Sequence, residues 1–462
     1  MSLAVRRDRL DRGLAMILDC RRSLLDALRN DFPARGEAWT TLAEILVPIN
    51  AFQHARKHLH QWMRAERRRA PMPFSLFGAR AEIQYQPLGV IGIMGAWNGA
   101  VALVLTPLAP ALAAGNRAML CPSDMMPATA EVLARAVAKY FDPRELAVAR
   151  GGLDVSRAFS SLPFDHLLFT GSSRVGALVM QAAAANLTPV TLELGGKCPV
   201  VIGPDADLDD AAGAVVAAKT LNGGQACLAP DLLLVPCGRR AAFIEAMSRA
   251  MAKLYPGGAR NPDYCGLINA RQFERVDSLL EEARRLGASV TALGVGADPD
   301  DQRRASERRL ALHVVADAPA SSRVMTEEIF GPVMVIVDYD KVDAACAYLR
   351  KRPKPLGLYV FSRDRRWVQT VLDLSFSGGV TVNDAMFHYS VPDLPFGGVG
   401  HSGMGAYSVG IHGFRQFSHA RAVYRQAGPR AILRILQPPY GRLFDLTVRR
   451  HIEHLAAKHL PR

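Results

Sequence analysis

The sequence predicts an α/β fold built on parallel strands with crossover helices. Two observations carry that expectation. Short apolar runs with strand character alternate with longer stretches of helical spacing over most of the chain. A chain of 462 residues, 49% hydrophobic and 21% charged, is also long enough for two or three domains with a large core.

Taken in order, residues 10–69 have amphipathic helical spacing (Leu14, Ile17, Leu18; Leu42, Ile45, Leu46). Pro71-Met72-Pro73 ends that block, and Phe74 to Leu88 alternates as a strand or hairpin through Ala81, Ile83 and Tyr85. No charged residue occurs from Pro87 to Gly115, which suits a membrane span by hydropathy alone. The internal pattern instead predicts a buried strand (Val90–Met94), a turn at Asn98-Gly99, and an apolar helix from Leu103 to Ala114 interrupted by Pro107 and Pro110. A strand at Arg117–Cys121, a helix at Ala128–Phe141, a strand at His166–Phe169 and a helix from Arg174 follow. A second α/β stretch begins at Cys198-Pro199-Val200-Val201-Ile202 and runs to about Asn383, broken by a polar loop near Asp298 to Arg304. After Ala427, Leu443 to Leu460 has helical spacing among basic residues, with seven Lys and Arg against two Asp and Glu in the tail. Such a helix suits an acidic membrane surface. It suits equally its own domain or a partner subunit, and packing of that kind is the expectation.

Seven scattered cysteines without metal-ligand spacing point to a reducing, cytoplasmic setting and to no metal site. Residues 1–30 are rich in Arg and Asp and lack the apolar core of a secretory leader. The net charge of +13 favours anionic partners in principle. Its Lys and Arg are spread out, however, and no nucleic-acid-binding motif accompanies them, so a generally basic surface is expected. His54, His58 and His60 are read as solvated surface rather than metal ligands, and Cys198 as packing.

The chemistry is concentrated in four short segments. Asn222-Gly223-Gly224-Gln225-Ala226-Cys227 places a thiol after an open, glycine-rich turn, where it can meet a substrate. Glu193 enters another glycine turn, Glu193-Leu194-Gly195-Gly196-Lys197, as a candidate general base. Phe169-Thr170-Gly171-Ser172-Ser173-Arg174-Val175-Gly176 links a strand to a helix, where free N–H groups suit phosphate, although Gly-Ser-Ser is also an ordinary helix cap. Gly95-Ala96-Trp97-Asn98-Gly99 closes a strand with an amide able to donate to an oxyanion, or simply with a turn asparagine.

This order and spacing resemble the NAD(P)-dependent aldehyde dehydrogenase superfamily, from about Tyr85 to Tyr424. The resemblance extends to Pro87-Leu88-Gly89-Val90, Gly115-Asn116-Arg117, Glu327-Glu328-Ile329-Phe330-Gly331-Pro332, Ser377-Gly378-Gly379-Val380, Val382-Asn383 and Pro395-Phe396-Gly397-Gly398-Val399-Gly400. The short N-terminus, Ala229-Pro230-Asp231 and the Pro-Pro-Tyr-Gly tail are similar to the class 3 and coniferyl aldehyde dehydrogenase branch. The resemblance implies oxidation of an aromatic (coniferyl-type) or medium-to-long aliphatic aldehyde to its acid. It implies Cys227 as nucleophile, Asn98 and the Cys227 N–H as oxyanion donors, and Glu193 as activator of water. For the coenzyme, NAD or alternatively NADP, it implies Glu328 on the nicotinamide ribose, Phe330 near the ring, and Trp97 and Ser172 near the pyrophosphate within the turn carrying Gly171 and Gly176. It further implies a Rossmann-type coenzyme domain (1–74 and 89–195), a catalytic domain (196–400), and a β oligomerisation arm (75–88 and 410–426) that makes at least a homodimer.

Two departures stand out. The family's Lys-Pro-Ser-Glu reads Cys121-Pro122-Ser123-Asp124 here, which removes an ammonium donor from the adenosine ribose and shortens its carboxylate partner. The family's Pro-Trp-Asn-Tyr/Phe-Pro reads Ala96-Trp97-Asn98-Gly99-Ala100, which frees the backbone around Asn98. Weaker coenzyme binding is expected, with Asp124 disfavouring a 2′-phosphate. The alternative is a degenerate homologue that keeps the fold as an oligomeric binding protein.

Overall fold

A computed structural model describes residues 1–72, 74–294, 303–405, 409–428 and 437–460, which include part of the polar loop near Asp298 and part of the basic tail. The chain divides into two units. One comprises residues 1–62 and 87–418, the other residues 63–86 and 419–462.

Strands are numbered in chain order. In the larger unit the first sheet contains β3 (Val90–Met94), β4 (Arg117–Cys121), β5 (Leu146–Val148), β6 (His166–Gly171), β7 (Val190–Leu194) and β17 (Gly403–Met404). Their spatial order is β17-β7-β6-β3-β4-β5, parallel except for β17. The chain proceeds from β3 outward through β4 and β5, then returns to β6 on the other flank of β3. The strand order therefore reverses between β3 and β6, and sheets of this kind bind ligands outside the carboxyl ends of the strands at such a reversal.

The second sheet contains β8 (Cys198–Ile202), β9 (Pro230–Pro236), β10 (Ser289–Ala292), β13 (His313–Ala316), β14 (Val333–Tyr339), β15 (Gly357–Phe361) and β16 (Gly379–Val382). Its order is β10-β13-β14-β9-β8-β15-β16, with β10 antiparallel and the rest parallel. Alternate residues of its strands enter different clusters. Val200, Leu233 and Val235 join one core, while Val201, Leu232 and Leu234 join another. Both faces are thus apolar, as a parallel sheet covered on both sides requires. A two-residue ladder pairs β11 (Arg303–Arg304) with β12 (Arg309–Leu310).

The uncharged run is a β-turn-α unit, and among the described residues no helix is long and apolar enough to cross a membrane. The expected interruption of its helix does not occur. The helix is continuous from Ala102 to Ala114 with Pro107 and Pro110 inside it, buried on nearly every side, until Gly115 at φ 95° ends it. Packing of this segment, apolar but for Thr106, outweighs the lost hydrogen bonds.

The N-terminal block differs more. Its first helix begins at Leu3, because the Ser2 hydroxyl accepts the Val5 N–H and caps it. Glu37–Trp62 is helical with one π-helical turn at Thr41–Leu46. In the smaller unit, β1 (Glu66–Arg68), β2 (Arg80–Pro87) and β18 (Ser418–Arg425) form a three-stranded sheet in the order β1-β2-β18. Arg67 and Arg68 are therefore strand residues, held opposite Glu82 and Ala81, rather than the end of a helix. Phe74–Phe77 is a 3-10 turn, and a helix at Gly410–Gln416 precedes β18.

Candidate active site

The groups singled out in the sequence converge between the carboxyl edge of the first sheet and the amino edge of the second. Asn98 follows β3, Ser172 follows β6 and Gly195 follows β7, whereas Cys227 precedes β9 and Glu328 precedes β14.

The thiol is presented by an unusual backbone. Asn222, Gly223 and Gly224 take φ of 54°, 63° and 76° in succession, a left-handed path that glycine tolerates and asparagine accepts best among other residues. Gln225, wholly buried, holds the turn: its Nε2 donates to the Asn222 and Gly266 carbonyls and its Oε1 accepts the Ile268 N–H. Gly224 packs where any Cβ would lie 2.3 Å from the Gly331 oxygen, so the thiol turn rests on the Glu-Ile-Phe-Gly-Pro segment. Cys227 itself is partly buried and packs against the second sheet's core. Burial, and then the charges of Glu328 and Glu193, push its thiol up to about 12. The resting sulfur is therefore protonated at neutral pH and needs an acceptor for that proton.

Glu193 is buried on β7, in register with Thr170 of β6 and Gly403 of β17. Asn98 lies in a 3-10 turn, and its Nδ2 donates to the Gln225 carbonyl at 3.2 Å, two residues from the nucleophile. The Asn98 carbonyl accepts from Asn222 and from the Arg35 guanidinium, each at 3.2 Å.

Glu328 approaches the same cleft. Burial raises its carboxyl to about 7, against an opposing hydrogen bond from the Gly196 N–H. Its Oε1 is buried with no hydrogen-bond partner among the described residues. A Cβ on Gly195 would lie 2.1 Å from that oxygen, so the glycine is what leaves it room. A cavity of about 210 Å³ opens here, lined by Gly195, Gly196, Lys197, Glu328, Arg352 and Lys354 among others. An orphaned acceptor at the wall of a basic cavity fits a hydroxyl-bearing, anionic ligand. Phe330, at φ 47°, meets Trp97 edge-on at 5.5 Å. Beneath them Asp231 accepts the Ile329 N–H and pairs with Lys197 at 3.4 Å and the buried Lys219 at 3.9 Å. Burial lowers the Lys219 ammonium to about 8.

On the first sheet, Ser172 accepts the Val175 N–H and caps the helix Ser173–Ala184. A Cβ on Gly176 would press into Leu194, so that glycine seats the helix against the strand of Glu193. Cys121 does not present a donor in place of lysine. It is 3% exposed and packs with Met94, Phe159 and Phe169, its sulfur 3.9 Å from the Ser156 hydroxyl. Asp124 is exposed.

Several contributors escaped sequence reading: Gln225, Asn222, Asp231, Arg35 and Glu44. Gln225 and Asn222 stand inside the thiol motif, but only the fold turns them inward. Arg35 and Glu44 lie in a helical block with no motif. His54 and His58 are half-buried rather than solvated, with rings 4.3 Å apart and both against Trp62, and His54 pairs with Asp393 at 3.3 Å. The tertiary fold supplies that carboxylate from a distant loop. Among the described residues no cluster of potential metal ligands exists. Cys198 is buried and donates to the Cys227 carbonyl at 3.2 Å.

Comparison with known proteins identifies the family and the fold. Residues 1–423 match the model of the aldehyde dehydrogenase family. A coniferyl aldehyde dehydrogenase of Pseudomonas sp. (strain HR199 / DSM 7063) is 42% identical over 440 residues, covering 95% of this chain and 90% of that one. The substrate-bound state of Staphylococcus aureus AldH superposes with a TM-score of 0.88 at 32% identity, over 98% of this chain and 95% of that one. A Mycobacterium tuberculosis aldehyde dehydrogenase complexed with NAD+ gives a TM-score of 0.80 at 26% identity, over 92% and 86%. With the family's motifs folded around one cleft, the chain belongs to the aldehyde dehydrogenase family.

Proposed function

We propose that this chain oxidises an apolar aldehyde, aromatic of the coniferyl type or medium-to-long aliphatic, to its carboxylic acid with NAD(P). The observation that carries this reading is the convergence of the Cys227 thiol with two carboxylates, Glu193 and Glu328, and with the Asn98 amide that is tied to the thiol's own turn.

The Cys227 sulfur attacks the carbonyl carbon, and its proton passes to Glu193 or to water. Asn98 and the Cys227 N–H hold the oxygen of the resulting thiohemiacetal, a contribution of roughly 3 kcal/mol. NAD(P), when bound, supplies the acceptor for the hydride. Cys227 is then acylated, Glu193 takes a proton from water, and that water's oxygen bonds to the acyl carbon while the C–S bond breaks. The acid departs, and Glu193 returns its proton to the released sulfur, which restores the free thiol. Glu328 and the Gly195-Gly196 turn would hold a coenzyme ribose, with Phe330 and Trp97 alongside. Gly171, Ser172 and Gly176 would serve the pyrophosphate, and Asp124 would face the adenosine end, where Cys121 is turned into the core and offers no donor. Asp124 favours NAD over NADP by repelling a 2′-phosphate.

The reading extends to a coenzyme domain of residues 1–74 and 89–195, a catalytic domain of 196–400, and an arm of 75–88 and 410–426 that makes a homodimer or larger assembly in the cytoplasm. The coniferyl-type substrate draws on the relative named above. The test is reduced-nicotinamide absorbance across a panel of aldehydes, with mass spectrometry of the protein. Wild type should form acid and an adduct at position 227, and Cys227→Ser should do neither. Equal behaviour of the two proteins across the panel overturns the proposal and favours a binding protein that retains the fold.

A further inference from the structure

Asn98 sits in a segment with little backbone rigidity of its own. Ala96 and Ala100 flank it without the fixed φ of a proline, and Gly99 follows the amide directly. A chain freed in this way samples more conformations. An oxyanion donor misplaced by about 1 Å can lower a rate by about a hundredfold.

The structure contains a substitute restraint. Glu44, wholly buried, spans the backbone immediately after Asn98. Its Oε1 accepts the Ala100 N–H at 3.1 Å, and its Oε2 accepts those of Val101 and Ala102 at 2.9 and 3.0 Å. The first of these bonds exists only because position 100 is not proline, which has no N–H. The three N–H groups open the helix Ala102–Ala114, where a carboxylate is favoured by both hydrogen bonding and the helix dipole.

Arg35 completes the device. Its side chain, 1% exposed, directs three donors to three different acceptors: Nη2 to Glu44 Oε1 at 2.8 Å, Nη1 to the Asn98 carbonyl at 3.2 Å, and Nε to the Thr40 hydroxyl at 3.2 Å. Its guanidinium also lies over the Phe32 ring, 5.2 Å from the centroid. Phe32 in turn meets Trp97 at 6.3 Å. Arg35 thus grips both sides of the peptide that follows Asn98: the carbonyl directly, and the succeeding N–H groups through Glu44. A planar fork can make these contacts together, whereas an ammonium acts as a point charge. Glu44 lies in the π-helical turn Thr41–Leu46, a local widening often found at functional positions.

We propose that Arg35 and Glu44 are positioning residues for the Asn98 oxyanion donor, acting as a buried ion pair that restrains the flexible segment around it. Neither touches the reacting atoms. They act by fixing the Asn98 peptide from the carbonyl on one side and from the helix N-terminus on the other. The inference rests on the role of Asn98 proposed above.

The test is a double-variant cycle joined to an activity-independent measurement. Arg35→Lys keeps the charge opposite Glu44 and should fold. It should lower kcat about tenfold while the KM for aldehyde changes less than twofold, as expected when only a transition-state contact is disturbed. On an Asn98→Ala background the same substitution should change kcat less than twofold, because the amide it positions is gone. Equal losses on both backgrounds, or no loss in the first, overturn the proposal. Separately, hydrogen–deuterium exchange on Glu44→Gln should accelerate about tenfold at Ala100, Val101 and Ala102, with the strands of both sheets unchanged. Unchanged exchange at those three amides overturns the clamp. If wild type oxidises no aldehyde, the proposed function fails, and the exchange measurement alone then decides whether the clamp exists.

Discussion

Cys121 shows how a single residue separates this chain from the pattern it otherwise follows. A thiol buried against Ser156 and Phe159 offers no charged hydrogen bond to a ribose, and such a bond is worth about 1.5–3 kcal/mol. Calorimetric titration should accordingly find NAD binding weaker than low-micromolar, and Cys121→Lys should tighten it by about tenfold or more. Low-micromolar binding by the wild type overturns the argument. Glu328 makes a second prediction at the same scale, on stability. Its carboxyl titrates near 4.5 when unfolded and near 7 when folded. Between those values the folded chain keeps a proton that the unfolded chain has released, so stability falls as pH rises through the window. The favourable contribution is complete below about pH 4.5 and gone above about pH 7. Glu328→Gln removes the titration. In the coenzyme-free protein its melting temperature should match wild type at pH 4.5 and exceed it at pH 8, reflecting on the order of 3 kcal/mol. An equal difference at the two pH values would contradict the assignment.

Among the elements, the thiol turn depends most on backbone geometry. Gly224 combines a left-handed φ of 76° with the close approach of the Gly331 carbonyl. Gly224→Ala must therefore strain the turn and displace the Glu328 segment together. We expect a loss of more than about 2 kcal/mol in stability and a fall of about a hundredfold in kcat. Thermal unfolding and steady-state rates check both, and a variant with wild-type kcat would show the contact to be dispensable. The pattern of apolar residues was enough to place β3, β4, β6 and β8, because a buried parallel strand reads as an apolar run whatever its neighbours. It was not enough to keep Pro107 and Pro110 inside one helix, because the compensation comes from packing on every side of that helix. Nor could it show that Arg67 and Arg68 are strand residues, since a run of three charged side chains has no strand period and the pairing comes from β2, further along the chain.

For the whole molecule, the smaller unit raises the question of assembly. Its sheet has the order β1-β2-β18, which leaves β1 and β18 as edges, and exposed edges invite pairing with another chain. Sedimentation at micromolar concentration should find a homodimer or larger species. A monomer there would show that the edges are managed within the chain, for instance by the charged pair Arg425–Glu82 at 3.4 Å. The tail helix Arg450–His459 exposes Ile452 and Leu455 alongside basic residues.

The sequence by itself determined the α/β class and the family, and it singled out Cys227, Glu193, Asn98 and Glu328 as candidates. Each of these is written into a short contiguous motif whose spacing follows from local chain geometry. Only the tertiary structure decided how they are held. Gln225 was in view but turned inward by three left-handed residues, and Asp231 acquired its two lysines only when β8 and β9 were paired. Arg35 and Glu44 reach Asn98 across about sixty positions of sequence. Contacts of that range leave no periodic trace, because a buried ion pair is specified by the space between helices and not by the order of residues along any one of them.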